Sequence, residues 1–187
     1  MIKKIKAQIW IETVIYILMG LSLMAIVLAF AIPKIEEQKD KLTVERTIEM
    51  MIGIENSIRD IKLSGTSATK ENDIKIGKGK LIIDPTEDKL TFIIEDSKYA
   101  IGKPRESDPK IVNNIPGTNL LALSELAGDK YKISITLDYK NMYDIQYETS
   151  SQERILNSQP NTYRLMVENR GKEPTSPVTR INFYLNA

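Results

Sequence analysis

The sequence predicts an α+β protein: a long N-terminal hydrophobic helix, bent near Pro33, followed by an antiparallel β-sandwich-like head. Three observations carry that expectation. An uncharged apolar run occupies residues 13–33. Apolar residues then recur at three- and four-residue intervals up to about residue 63. From about residue 70 the pattern changes to short apolar runs of strand length with turn residues between them.

The run from Thr13 to Pro33 holds 21 residues without a charge. At about 1.5 Å per residue that is roughly 31 Å of helix, enough to cross a hydrocarbon core. Lys3, Lys4 and Lys6 precede it, whereas Lys34, Glu36, Glu37, Lys39, Asp40 and Lys41 on the far side have no basic bias. The asymmetry predicts a cytoplasmic N-terminus with the rest of the chain outside. Trp10 and Tyr16 suit the headgroup level, where an amphipathic ring touches both lipid and water. Within the run Ala25 and Ala29 lie four apart, with Gly20 and Ser22 above them. Small residues at that spacing let helices approach closely in lipid, though they are also common in any transmembrane helix. Pro33 lacks a backbone donor and disfavours a straight helix, so it marks a kink, a site of local melting or the membrane exit.

From Lys34 to about Leu63 the chain reads as an amphipathic continuation of the helix, with Ile35, Leu42, Val44, Ile48, Met51, Ile52, Ile54, Ile58 and Ile61 recurring mostly at three- and four-residue intervals. This apolar half of the helix requires a globular head to lie against. The small polar stretch Ser64 to Thr69 should end the helix. Asp73 to Ile76 reads as a strand, and Lys80–Asp84 with Lys89–Ile94 as a hairpin around Pro85 to Asp88. Leu120–Leu126 and Tyr131–Leu137 form a second hairpin around Gly128-Asp129, with Tyr131, Ile133, Ile135 and Leu137 alternating to place one face inward. Tyr143–Tyr147, Thr162–Val167 and Arg180–Leu185 complete the strands, and strands without intervening helices predict antiparallel sheets. Lys98 to Pro116, rich in Pro, Asp and Asn, reads as a long surface loop.

The order of features at the N-terminus is not that of a secretory signal, whose small-residue cleavage site follows the apolar region. Here Ala7 precedes it, so a cut between Ala7 and Gln8 would remove only the basic leader and keep the helix. Glu12 is then the fifth mature residue. This arrangement of basic leader, Ala7, Gln8, Glu12 and uncharged run resembles the class III signal peptide of type IV pilins, the archaeal branch in particular. Trp10 stands where that branch often has Ser. The resemblance covers roughly residues 1–45. It implies a leader at 1–7, a transmembrane and filament-core helix at 8–33, its continuation at 34–64 and an extracellular β-rich head at 70–187. It also implies a structural subunit of a surface filament used for adhesion or similar contacts. Its partners would be like subunits, a prepilin peptidase, and a membrane assembly platform with its ATPase. A minor pilin or pseudopilin priming a filament or secretion system fits the same features. So does an uncleaved single-pass membrane protein whose head binds a ligand.

Glu12 separates these readings. In a plain anchor it marks the cytoplasmic end of the span, where the helix dipole favours a carboxylate by about 0.3–1 kcal/mol. In a filament it would pair with the new α-amine of a neighbour's Gln8. A charge at bilayer depth costs about 2.5–3.5 kcal/mol, and pairing relieves that cost only at one axial offset.

Composition narrows the function further. The net charge is +1, and −2 once the three leader lysines are gone, so no field points to nucleic acid. The chain has no cysteine, so an extracellular head depends on core burial rather than disulfides. Asn-x-Ser/Thr does not occur, and N-glycosylation of that type is not expected. Without histidine or cysteine the commonest general base, thiol nucleophiles and most transition-metal sites are excluded. Paired carboxylates or a Ser-Lys arrangement remain chemically possible, but the acidic residues are spread through turns with no spacing that singles out two, so neither enzyme activity nor a cofactor is expected. Asp84 with Glu87 and Asp88, or Asp138 with Asn141 and Asp144, offers oxygen ligands that calcium could use. Acidic turns of this kind more often simply hydrogen-bond their own backbone.

Overall fold

The computed structural model describes residues 2–102, 104, 107, 108, 110–172 and 177–186, with side chains from Trp10 onward. One helix, α1 (Ile2–Ser64), is followed by ten strands. These are β1 (Thr69–Ile74), β2 (Lys80–Asp84), β3 (Lys89–Ser97), β4 (Lys110–Asn114), β5 (Leu120–Ala127), β6 (Lys130–Asp138), β7 (Tyr143–Tyr147), β8 (Arg154–Asn157), β9 (Tyr163–Lys172) and β10 (Thr179–Leu185). The chain forms two compact units, residues 1–39 and residues 40–187. The division falls inside α1, six residues beyond Pro33.

α1 runs through Pro33 as one element, so the helix is not interrupted there. It stops at Ser64, as expected, because Gly65 takes a left-handed conformation (φ 95°) that a glycine adopts without steric cost. In the second unit Val44, Met51, Ile54, Ile58 and Ile61 are buried. Their three-, four- and seven-residue spacings form a single stripe. Ile48 is half-buried beside it. Leu42, part of the recurring apolar pattern, is 51% exposed. It lies two residues from Val44, about 200° around the helix, and cannot share its face. Ile35 is likewise exposed and belongs to the first unit.

The strands form two sheets, with orders β1-β9-β10-β7 and β4-β5-β6-β3-β2-β8. All pairings are antiparallel except β7 with β10, which is parallel and departs from the all-antiparallel expectation. Both expected hairpins are present, β2 paired with β3 and β5 with β6. Along β6, Ile133, Ile135 and Leu137 are fully buried, as their alternation requires. They join Phe92, Leu120, Leu165, Phe183 and the helical stripe in one hydrophobic cluster fed by both sheets and by α1. At Gly79, just before β2, a Cβ would lie 2.3 Å from the Ile93 carbonyl oxygen, so only glycine permits this approach of backbone to backbone.

Two strands were not expected. β4 lies within the segment read as a surface loop, and β8 has only four residues. Each is the outermost strand of the six-stranded sheet and needs apolar contact on one side only. Ile111 and Leu156 provide it, a signal too short to stand out among polar neighbours.

Candidate assembly surfaces

In the first unit nearly every described apolar side chain faces outward. Trp10 is 70% exposed and Phe30 76%, and the stretch between them contains no buried residue. This helix is long and apolar enough to cross a membrane, and its surface is compatible with membrane anchoring. Glu12 is exposed on it. Ala7 and Gln8 lie on the helical backbone, and their side chains fall outside the described ones. The proposed packing residues do not all share a face. Ser22, Ala25 and Ala29 fall within about 60° of one another, while Gly20 lies about 140–180° from the two alanines. At Gly20 an added Cβ would meet nothing within 4 Å, so nothing in this unit requires glycine there. Ser22 Oγ donates to the Leu18 carbonyl at 2.8 Å, satisfying its hydroxyl within the helix. Pro33 leaves the Ala29 carbonyl without its intrahelical donor.

In the second unit three polar groups fasten the helix to the sheets, and sequence reasoning missed all of them. Asp40 accepts from Lys78 Nζ and from the Lys98 backbone N–H, both at 2.7 Å. Glu55, its side chain 5% exposed, accepts from the Asn119 N–H at 3.1 Å and lies 3.5 Å from Arg59. Asn169, on β9, donates through Nδ2 to the carbonyls of Ile61 (3.1 Å) and Gly65 (3.0 Å) and accepts from the Gly171 N–H at 2.8 Å. It caps the helix C-terminus, where carbonyls have no intrahelical partner. In addition, Ser57 Oγ donates to Asn72 Oδ1 on β1 at 2.7 Å. The one available signal was Glu55, a charge one turn beyond Met51 on an otherwise apolar stripe. Asn169 carried none, because the helix-end carbonyls it caps are more than a hundred residues away.

The acidic turns serve the backbone. Asp84 Oδ1 accepts from the N–H groups of Thr86 (3.0 Å) and Glu87 (3.2 Å). Asp138 Oδ1 accepts from Lys140 N–H, and Asp88 Oδ1 from Ile145 N–H at 2.9 Å. Among the described residues no group of three or more acidic side chains could hold a metal ion. Burial pushes the Asp88 carboxyl above the usual range, against the lowering effect of its bond from Ile145, and the nearby charges of Asp144, Asp138 and Asp84 add to the rise. Tyr139 is fully buried with its hydroxyl unpartnered, and burial first, then the Glu55 charge, hold it as a neutral phenol.

Comparison of the chain with protein-family models, with curated proteins and with solved structures gave no match.

Proposed function

We propose that the chain is a pilin-like subunit of a surface filament, of the archaeal type. It is inserted with its N-terminus inside, cut between Ala7 and Gln8, and assembled through α1 with the head outside. The order of basic leader, Ala7, Gln8, Glu12 and uncharged run carries this reading. An apolar helical surface from Trp10 to Phe30 is unfavourable in water by about 25 cal/mol per Å² and must be covered. Lipid covers it before assembly, and the helices of like subunits cover it afterwards. The fastened head would form the outer surface and make the adhesive or other contacts.

A prepilin peptidase and an ATP-driven platform in the membrane are the partners this reading requires. It is tested by sequencing the N-terminus of the chain extracted from its own membranes. The mature protein should begin at Gln8, and Ala7→Phe should leave the leader attached. A chain beginning at Met1 in both would overturn the processing step and favour an uncleaved single-pass anchor.

A further inference from the structure

Both edges of the six-stranded sheet, β4 and β8, are open. In an antiparallel ladder every second residue turns its N–H and C=O toward one neighbouring strand, and the residues between turn theirs toward the other. The Ile115 N–H donates to the Leu120 carbonyl, so Ile111 and Asn113 bond β5, while the backbone groups of Lys110, Val112 and Asn114 point away from the sheet. On the other side the Tyr139 N–H donates to the Asp88 carbonyl. Carried through the registers of β6 with β3, β3 with β2 and β2 with β8, the alternation binds Arg154 and Leu156 to β2. It leaves Ile155 and Asn157 on the open edge. Among the described residues only the Asn157 carbonyl, of these edge groups, has a further partner, the Tyr163 hydroxyl at 2.9 Å.

Neither edge has the proline or bulge that commonly keeps edge strands apart. An apolar side chain stands at the centre of each open edge instead, Val112 at 62% exposure and Ile155 at 44%. β1, at the edge of the other sheet, carries Lys70, Glu71 and Asp73. The two open edges also match one another. Every pairing between β4 and β8 in the strand order is antiparallel, so these two strands run in opposite directions and β8 of one copy continues the ladder beyond β4 of the next. Setting Ile155 opposite Val112 also sets Asn157 opposite Lys110, and all four turn their backbone groups across the gap. The same register brings the inward residues Leu156 and Ile111 together, and Arg154 beside Asn113. Apolar side chains therefore meet on both faces, and no like charges are opposed.

We infer that β8 of one copy pairs with β4 of the next, extending the six-stranded sheet from head to head, an inference that rests on the chain assembling with copies of itself. The contact joins two different edges, so it repeats from copy to copy without closing on a pair. It allows neighbours the axial step that pairing of Glu12 with a neighbour's Gln8 requires, which a two-fold contact does not. The twist of a sheet turns successive copies in one sense. With five residues in β4 and four in β8, the contact is far smaller than the roughly 800 Å² that each partner gives to a stable complex. It is therefore weak between free heads and forms where α1 already holds copies together.

The chain has no cysteine, so introduced thiols are its only ones. Val112→Cys and Ile155→Cys, made on separate, differently tagged copies of the full chain in its native membranes, should give a mixed dimer with a short bis-maleimide. Either variant alone should give none, because neither strand meets its own counterpart. Val112→Pro removes only an N–H that faces the open edge, where proline is tolerated, so the chain should keep its abundance and protease resistance. On a copy carrying Lys110→Cys it should lower cross-linking to an Asn157→Cys copy about tenfold or more, by breaking the central pair of hydrogen bonds. Val112→Lys keeps that N–H and should lower the same yield, and Ile155→Glu on the opposing copy should restore it. No mixed dimer, equal dimer from either single variant alone, or a mixed yield that neither Val112→Pro nor Val112→Lys reduces would each overturn the pairing. Sheared filaments that contain the chain but give no mixed dimer refute the pairing and leave the filament reading standing. Mixed dimer from a chain that still begins at Met1 and is absent from sheared filaments does the reverse.

Discussion

Asn169→Ala tests how the head is joined to the helix. The side chain is 3% exposed and makes three hydrogen bonds, to the carbonyls of Ile61 and Gly65 and from the N–H of Gly171. Each bond contributes about 1 kcal/mol net, and a buried group left unpaired costs about 1–3 kcal/mol. Gly65 O keeps a second donor, the Ala68 N–H at 3.3 Å, which moderates the loss. The expected destabilisation is about 2–4 kcal/mol, or on the order of 5–15 °C in Tm for a domain of this size. Asn169→Asp should be worse at neutral pH, because a carboxylate would face the negative end of the helix dipole and carbonyls that need a donor. Part of the loss should return in acid, when the new carboxyl can donate. The assay is thermal unfolding, followed by circular dichroism, of a fragment from Lys34 to the C-terminus. An Asn169→Ala fragment that melts within a degree or two of the parent would refute the capping role.

Two further predictions use the same fragment, which should be monomeric and show mixed helix and strand signals. Ile58→Asp places an unpaired charge at a position only 1% exposed and should cost several kcal/mol, about 3 or more, or prevent folding. A melting curve like the parent's would mean that this helical face is not packed on the sheets. Asp88→Asn keeps the acceptor for Ile145 N–H, and asparagine suits the left-handed backbone there (φ 52°). Because burial raises the Asp88 carboxyl in the folded state, its ionised form opposes folding above that raised value, and the penalty fades as pH falls through it. The variant should therefore melt higher than the parent at pH 7, with the difference vanishing below about pH 4. A variant less stable than the parent at pH 7 would contradict this.

Periodicity made the helix and seven of the ten strands legible in the sequence, because each presents several apolar residues to one core, whereas β1 was expected at 73–76 and lies at Thr69–Ile74, where Ile74 is its one apolar residue. The helix end was legible for a chemical reason, a glycine after a polar serine. β4 and β8 were not, since an edge strand buries few side chains. The parallel pairing of β7 with β10 was hidden too, because it depends on which distant strands meet rather than on either pattern alone. The same limit applies to the fastening residues. Asp40 and Asn169 look like ordinary surface polar residues until Lys98 and the helix end are brought beside them, and Glu55, though it interrupts an apolar stripe, gives no hint of its partner Asn119. At the N-terminus the balance is reversed. Ala7, Gln8 and Glu12 acquire their meaning from order and spacing along the chain, and the fold of the head adds nothing to it.

The most direct test of the filament reading is Glu12→Gln in a strain lacking the wild-type gene, comparing the processed membrane pool with the sheared surface fraction. The substitution keeps size and most hydrogen bonding and removes only the charge that would pair with a neighbour's Gln8 amine. In a plain membrane anchor α1 begins at Ile2, so Glu12 lies beyond the first turn, where the dipole no longer acts, and the change forfeits almost nothing. In a filament it removes the pairing that fixes the axial offset. The expected result is a chain that is cleaved and held in the membrane but enters filaments poorly, while the wild type fills them. Normal filament yield from Glu12→Gln would contradict the register role, and no filaments from either form would contradict the filament reading itself.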